Sequence, residues 1–341
     1  MQINGSAELS GVPGGTTRRS FMKVGAASAA AFGAYGLIAW APRAEGSQYS
    51  IDLFITEGDA MMVDGRSVHV RTFSPQKDAI SLPGPLMLVA EKDELTITVT
   101  NTLDRPHGFA VKNVMDSGPI EPGETRTLQF EAPPAGTYLY QDPVDVPFNR
   151  LLGLHGALVT MPRDGSLTPY EGGPTFKRQW VWVTENIDSA WCERARRGGT
   201  TTLEEIVPDY FLINGHSGVD SVHDPSTTIH GKLGEPALVR IVNAGVATHA
   251  MHFHGNHLQI LCTDQERAKY VMTKDTLMMP GGFTKDAILP FKPPPDIWPP
   301  IEQWGDELTL SYPMHCHAEM SQTAGGGLYP NGMLAHWEIE R

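Results

Sequence analysis

Tyr312-Pro313-Met314-His315-Cys316-His317 is the stretch on which the reading of the fold turns. As a β-strand it alternates faces, so His315 and His317 point one way and Cys316 the other. A thiolate on one face and imidazoles on the other suit two copper sites back to back, because soft sulfur and imidazole donors select copper. Taken alone, the hexapeptide also fits a small core cysteine between two surface histidines. A second stretch decides between these readings. His249-Ala250-Met251-His252-Phe253-His254-Gly255-Asn256-His257 packs four histidines into nine residues of a chain that has 13 in 341. His252 and His254 repeat the same-face spacing, and two His-x-His pairs on two strands make a cage of imidazoles.

Working outward, the rest of the chain reads as all-β. Its 35 Gly and 27 Pro punctuate short β-branched and aromatic runs, and past the N-terminal stretch no long segment shows helical apolar periodicity. Strands are expected over residues 49–55, 67–73, 86–89, 94–100, 125–130, 137–140 and 157–161, separated by turns such as Pro122-Gly123-Glu124 and Pro133-Pro134-Ala135-Gly136. A Gly-, Pro- and Ser-rich linker over 163–178 follows, and then the pattern restarts. The second set of strands falls over 179–183, 210–213, 235–243, 251–262, 276–279, 284–289, 307–311 and 333–340, with 188–197 a short helix or a charged loop. Two Greek-key β-sandwich domains of cupredoxin-like kind, 48–162 and 179–341, account for this pattern. A proline-rich run over 290–304 interrupts the second as a stiff loop, with a lid or subunit-contact arm carrying Trp298 and Trp304 as the sharper alternative.

The N-terminus reads Thr17-Arg18-Arg19-Ser20-Phe21-Met22-Lys23 before an Ala/Gly-rich apolar run. Paired arginines ahead of a modestly hydrophobic stretch predict a twin-arginine signal peptide over 1–41, the twin-arginine export machinery as partner, and a periplasmic or otherwise exported protein. The formal charge of -13 becomes more negative once Arg18, Arg19 and Lys23 leave with Glu8, which argues against nucleic acid or an anionic membrane as partner. With Cys316 assigned to metal, Cys192 and Cys262 either form one disulfide or remain two buried thiols.

The two histidine segments together resemble the multicopper oxidases, whose last domain carries His-x-x-His-x-His followed by His-Cys-His. The resemblance implies that His249, the Cys316 thiolate and Met333 are type 1 copper ligands, Met333 as axial thioether. It implies that His252, His254, His315 and His317 belong to the type 2/type 3 cluster, with His315, Cys316 and His317 as the electron path. The implied activity is one-electron oxidation of a phenolic, amine or metal-ion substrate coupled to reduction of dioxygen. The implied partners are that small reductant and dioxygen, and a homotrimer is the implied assembly.

Two departures shape the expectation. The family's first domain supplies further His-x-His pairs, but here the corresponding places read Arg105-Pro106-His107-Gly108 and Tyr140-Gln141-Asp142-Pro143, leaving His69, His107 and His155 isolated. The family's second type 1 histidine lies five residues after the cysteine, where this chain has Ser321. Met320, a solvent molecule or His257 are the candidates to complete the set. Met272, Met278 and Met279 read as core filler rather than a cuprous-ion site, and His216, His223 and His230 as solvated residues of a loop. The rival to an oxidase is a copper-binding or structural envelope protein with a degenerate site. A copper nitrite reductase ranks last, because it needs a first-domain cysteine and none exists.

Overall fold

The computed structural model describes residues 46–340 except 296, 299, 301–302, 304 and 306–308; the predicted signal over 1–41 and Trp304 lie outside the described residues. The first half supplies β1 (Gln48–Met61), β2 (Ser67–Ser74), β3 (Met87–Ala90), β4 (Glu94–Asn101), β5 (Ala110–Val111), β6 (Met115–Asp116), β7 (Thr125–Glu131), β8 (Gly136–Gln141) and β9 (His155–Met161). They form two sheets, β2-β1-β4-β7 and β3-β9-β8-β5-β6. Alternation explains the packing: in β4, Leu95, Ile97 and Val99 are buried while the residues between them are half-buried. A core with Leu53, Phe73, Val89, Phe109 and Tyr140 fills the space between the two sheets.

The second half supplies β10 (Arg178–Ile187), β11 (Tyr210–Ile213), β12 (Ile229–Lys232), β13 (Ala237–Asn243), β14 (His249–Phe253), β15 (Leu258–Thr263), β16 (Glu266–Lys274), β17 (Thr276–Met279), β18 (Thr284–Leu289), β19 (Thr309–Cys316) and β20 (Leu334–Glu340). Their sheets run β11-β10-β13-β18-β15-β16 and β12-β20-β19-β14-β17. The halves repeat one design: β1 pairs antiparallel with β2 and parallel with β4, as β10 does with β11 and β13. The cupredoxin-like all-β class expected from the sequence is the class observed.

Strands β8, β9, β10 and β13 read as nearly continuous buried runs because they lie where the halves meet. Leu139, Val159 and Met161 pack there against Val181, Val183, Leu238 and Ile288, each worth about 1.5–3 kcal/mol when fully buried. Fully buried Arg240 crosses this junction, donating to Gln179 Oε1 at 2.9 Å, Thr137 Oγ1 at 3.0 Å and Asp286 Oδ2 at 3.1 Å.

Several local expectations change. The strand expected over 251–262 is two, β14 and β15, because Gly255 turns the chain at φ +77°. Its neighbour Tyr312 requires the glycine, since an added Cβ would stand 2.8 Å from that ring. The region of His216, His223 and His230 is not all loop: Gly218–His223 is a short helix, and His230 lies in strand β12. Residues 189–196 are a helix too, and Asp188 accepts from Trp191 N–H at its N-terminus. Among the methionines read as filler only Met279 is buried, whereas Met272 and Met278 are more than half exposed. Cys192 and Cys262 are both free and buried, and burial pushes each thiol up to about 12.

Candidate metal centre

The site is built on one antiparallel pair. β14 and β19 register His252 opposite His315 and Met251 opposite Cys316. Side-chain alternation then sorts the residues: His249, Met251 and Cys316 face the core, fully buried, while His252, His254, His315 and His317 face outward. His317 follows the end of β19 and stays in line because its N–H donates to Ala250 O at 2.8 Å. His254 is tied at its carbonyl, which accepts from Trp337 Nε1 at 2.8 Å.

On the outer face four imidazoles converge. Ring centroids lie 4.6 Å apart for His252 and His254, 4.6 Å for His252 and His317, and 5.2 Å for His315 and His317. His254 Nε2 and His315 Nε2 are 3.1 Å apart, and His252, His315 and His317 each bring a ring nitrogen within 4.8 Å of the others. An imidazole–metal bond of about 2.0–2.1 Å, as for zinc, puts neighbouring nitrogens of a tetrahedral site about 3.3 Å apart, so this donor set fits a metal ion. His252 is oriented by Thr276 Oγ1 at 3.2 Å, with Asp275 Oδ2 at 3.7 Å, the kind of outer support that metal-binding histidines use. Burial, and then the neighbouring imidazoles, hold the pKa of His252 below the ordinary value; burial also lowers His315, against the contrary pull of the Cys316 carbonyl. Neutral imidazole is the ligating form.

The inner face is different. His249 Nδ1 stands 3.5 Å from Cys316 Sγ and 3.2 Å from Ser321 Oγ, and its Nε2 is 2.8 Å from Asn186 Nδ2. Burial pushes the His249 pKa down to about 4. Met333 joins this pocket through its backbone, donating to Ser321 O and accepting from Cys316 N–H at 3.4 Å, and is fully buried. The structure thus gathers His249, Cys316 and Met333. The fourth place goes to the Ser321 hydroxyl, while Met320 is 56% exposed and His257 is exposed too. The contact from Asn186 escaped sequence reading, since 63 residues separate it from His249 and no local pattern marks it. A blue-copper donor set has two imidazoles with the thiolate; this pocket has one, so it does not fit that set.

The first half offers no open imidazole among the described residues. His107 Nδ1 lies 2.6 Å from Asp142 Oδ2, both buried. His155 Nδ1 donates to Arg150 O at 2.8 Å, and its Nε2 faces buried Glu185 at 3.4 Å. His69 is buried beside Glu57 and Asp59.

Two family models described as Multicopper oxidase match the chain, one over residues 79–165 and one over 182–299, together more than half of it. The chain belongs to the multicopper oxidase family. A copper-containing nitrite reductase of Rhizobium meliloti (strain 1021) is 26% identical over 279 residues, 74% of this chain and 71% of that protein. Laccase-9 of Arabidopsis thaliana is 30% identical over 234 residues, 61% of this chain and 36% of that protein. The crystal structure of blue copper oxidase from Nitrosomonas europaea superposes with a TM-score of 0.69 at 24% identity over 85% of each chain, a likeness of fold. These homologues are copper proteins.

Proposed function

We propose that this protein is an exported copper-dependent oxidoreductase whose metal is held by His252, His254, His315 and His317. The observation that carries the reading is the convergence of these four imidazoles, His252 and His315 on two paired strands and His254 and His317 just past their ends, on one solvent-open face. Bound copper would supply one-electron chemistry, taking electrons from a phenol, an aromatic amine or a low-valent metal ion and giving them to dioxygen. The chain's own part is to lower the pKa of His252 and His315 by burial, to aim His252 through Thr276, and to leave His254 and His317 exposed where a small molecule can reach them. The inner pocket takes no part in this proposal.

A homotrimer would set the four imidazoles against a neighbour's first half, whose three histidines are buried beside carboxylates. Such a neighbour closes the face without adding an imidazole. This favours a second reading, a copper-binding or structural envelope protein without turnover. Dioxygen consumption by the copper-loaded protein with a phenolic reductant separates the two. Consumption that disappears in His317→Ala supports the oxidoreductase, and copper bound at the cluster without any consumption supports the binding protein. Export by the twin-arginine route is tested by fractionation of cells carrying Arg18→Lys/Arg19→Lys, which should strand the protein inside.

A further inference from the structure

We infer that the pocket around Cys316 is closed to copper by the hydrogen bonds of Asn186, so that copper uptake is confined to the outer imidazoles. The inference goes beyond the proposed oxidoreductase and shares with it only the reading of the chain as a copper protein. It begins with the orientation of one amide. Asn186 Oδ1 receives the N–H of Ala247 at 2.8 Å, and a backbone N–H can only donate. The other end of the amide is therefore the nitrogen, which donates to Glu185 O at 3.1 Å and to His249 Nε2 at 2.8 Å.

An N–H aimed at Nε2 occupies the lone pair of that nitrogen. The neutral imidazole then carries its proton on Nδ1, the nitrogen that faces Ser321 Oγ at 3.2 Å and Cys316 Sγ at 3.5 Å. The one imidazole nitrogen able to share a metal with Cys316 bears a hydrogen. Metal-ligating histidines show the reverse arrangement, donating the remote ring N–H to a carboxylate, carbonyl or water. Freeing Nδ1 would require the Asn186 amide to turn over and give up its bonds to Ala247 and Glu185. Asn186 is 2% exposed and His249 0%, so water does not replace what is lost.

The remaining partners agree. Ala318 N–H donates to Cys316 Sγ at 3.4 Å, and Ser321 contributes a hydroxyl where a second imidazole would be needed for a blue-copper set. The Nδ1 hydrogen of His249 thus faces both the Ser321 hydroxyl and the Cys316 sulfur, which also receives Ala318 N–H.

The test compares copper per chain and visible absorption in the full chain after copper(II) loading and dialysis, for the wild type, Cys316→Ser and Asn186→Asp. The wild type should lack an intense sulfur-to-copper band, and Cys316→Ser should hold as much copper as the wild type. Asn186→Asp keeps an acceptor for Ala247 N–H and presents a second oxygen to Nε2–H. It should free Nδ1 and gain one further copper, with a sulfur-to-copper band that Cys316→Ser abolishes. An intense band in the wild type, or the loss of one copper in Cys316→Ser, overturns the inference. A folded Asn186→Asp variant without the added copper overturns Asn186 as the cause. Should that variant fail to fold, the comparison of wild type with Cys316→Ser decides alone. None of these readouts depends on turnover: absence of any copper from wild type and Cys316→Ser alike would sink the proposed oxidoreductase, whereas a blue wild type would sink only the closed pocket.

Discussion

The two halves of the molecule seat a buried histidine at matching places, and the partners it finds differ. In the first half His107 precedes β5, Asp142 follows β8, and β5 pairs antiparallel with β8; in the second half His249 opens β14, Cys316 closes β19, and those strands pair antiparallel. His107 meets a carboxylate at 2.6 Å, and that carboxylate also receives Gly108 N–H and Val144 N–H. His249 meets a thiol and a hydroxyl at longer range. Only the second half adds outward-facing histidines to the same strands. A shared sandwich therefore positions the residues, and their identities decide which partners the buried imidazole finds.

The largest expected effect breaks the comparison from its outer side. The double variant His252→Ala/His317→Ala should lower copper affinity by more than about 100-fold, since removing ligands exceeds the loss from removing their supports. Copper-competition titration against a chelator reads it, and retention of affinity would refute the cluster as the site. The matching pair of variants in the first half, His107→Ala and His69→Ala, should leave copper affinity unchanged.

Next in size is the first-half pair itself. Asp142→Ala strips the partner from buried His107 and from two backbone N–H groups, and should cost about 3–5 kcal/mol. Urea unfolding at neutral pH measures it; a loss below about 1 kcal/mol would show the pair to be incidental.

The second-half imidazole should reveal itself through pH. Burial holds the His249 pKa down to about 4, below the ordinary 6.5. The unfolded chain therefore binds the proton first. Stability present above about pH 6.5 is lost as the pH falls towards about 4, by up to about 3 kcal/mol. In metal-free protein, His249→Gln should flatten this part of the stability profile. An unchanged slope in the variant would assign the acid loss elsewhere.

The smallest effect concerns the turn that separates β14 from β15. Gly255→Ala forces a side chain into φ +77° and against the Tyr312 ring, which should cost about 1–3 kcal/mol and shift His254 off the cluster. A loss of thermal stability together with weaker copper binding is expected, and stability loss without any change in copper would place His254 outside the site.

Much of the candidate site was legible because strand periodicity is a local property. The spacing His252-x-His254 and His315-x-His317 sorts four imidazoles to one face without reference to the rest of the fold. The all-β class followed from the same periodicity and from Gly and Pro punctuation. The bend at Gly255 was missed because the strand was read straight through His254-Gly255-Asn256-His257, and the Tyr312 ring that crowds the glycine lies 57 residues away. β16 was missed for a different reason: an edge strand exposed along most of its length has no apolar alternation to read.

By itself, then, the sequence determined the sandwich class, the outward imidazoles and the inward cysteine, because each depends on which residues alternate along a strand. Tertiary structure alone decided what Cys316 and His249 meet. Asn186 and Ser321 reach His249 from β10 and from the segment after β19, and the direction of the Asn186 amide is set by a third segment at Ala247. Hydrogen-bond direction in a buried pocket depends on every donor and acceptor packed around it, and those come from parts of the chain that no local pattern connects.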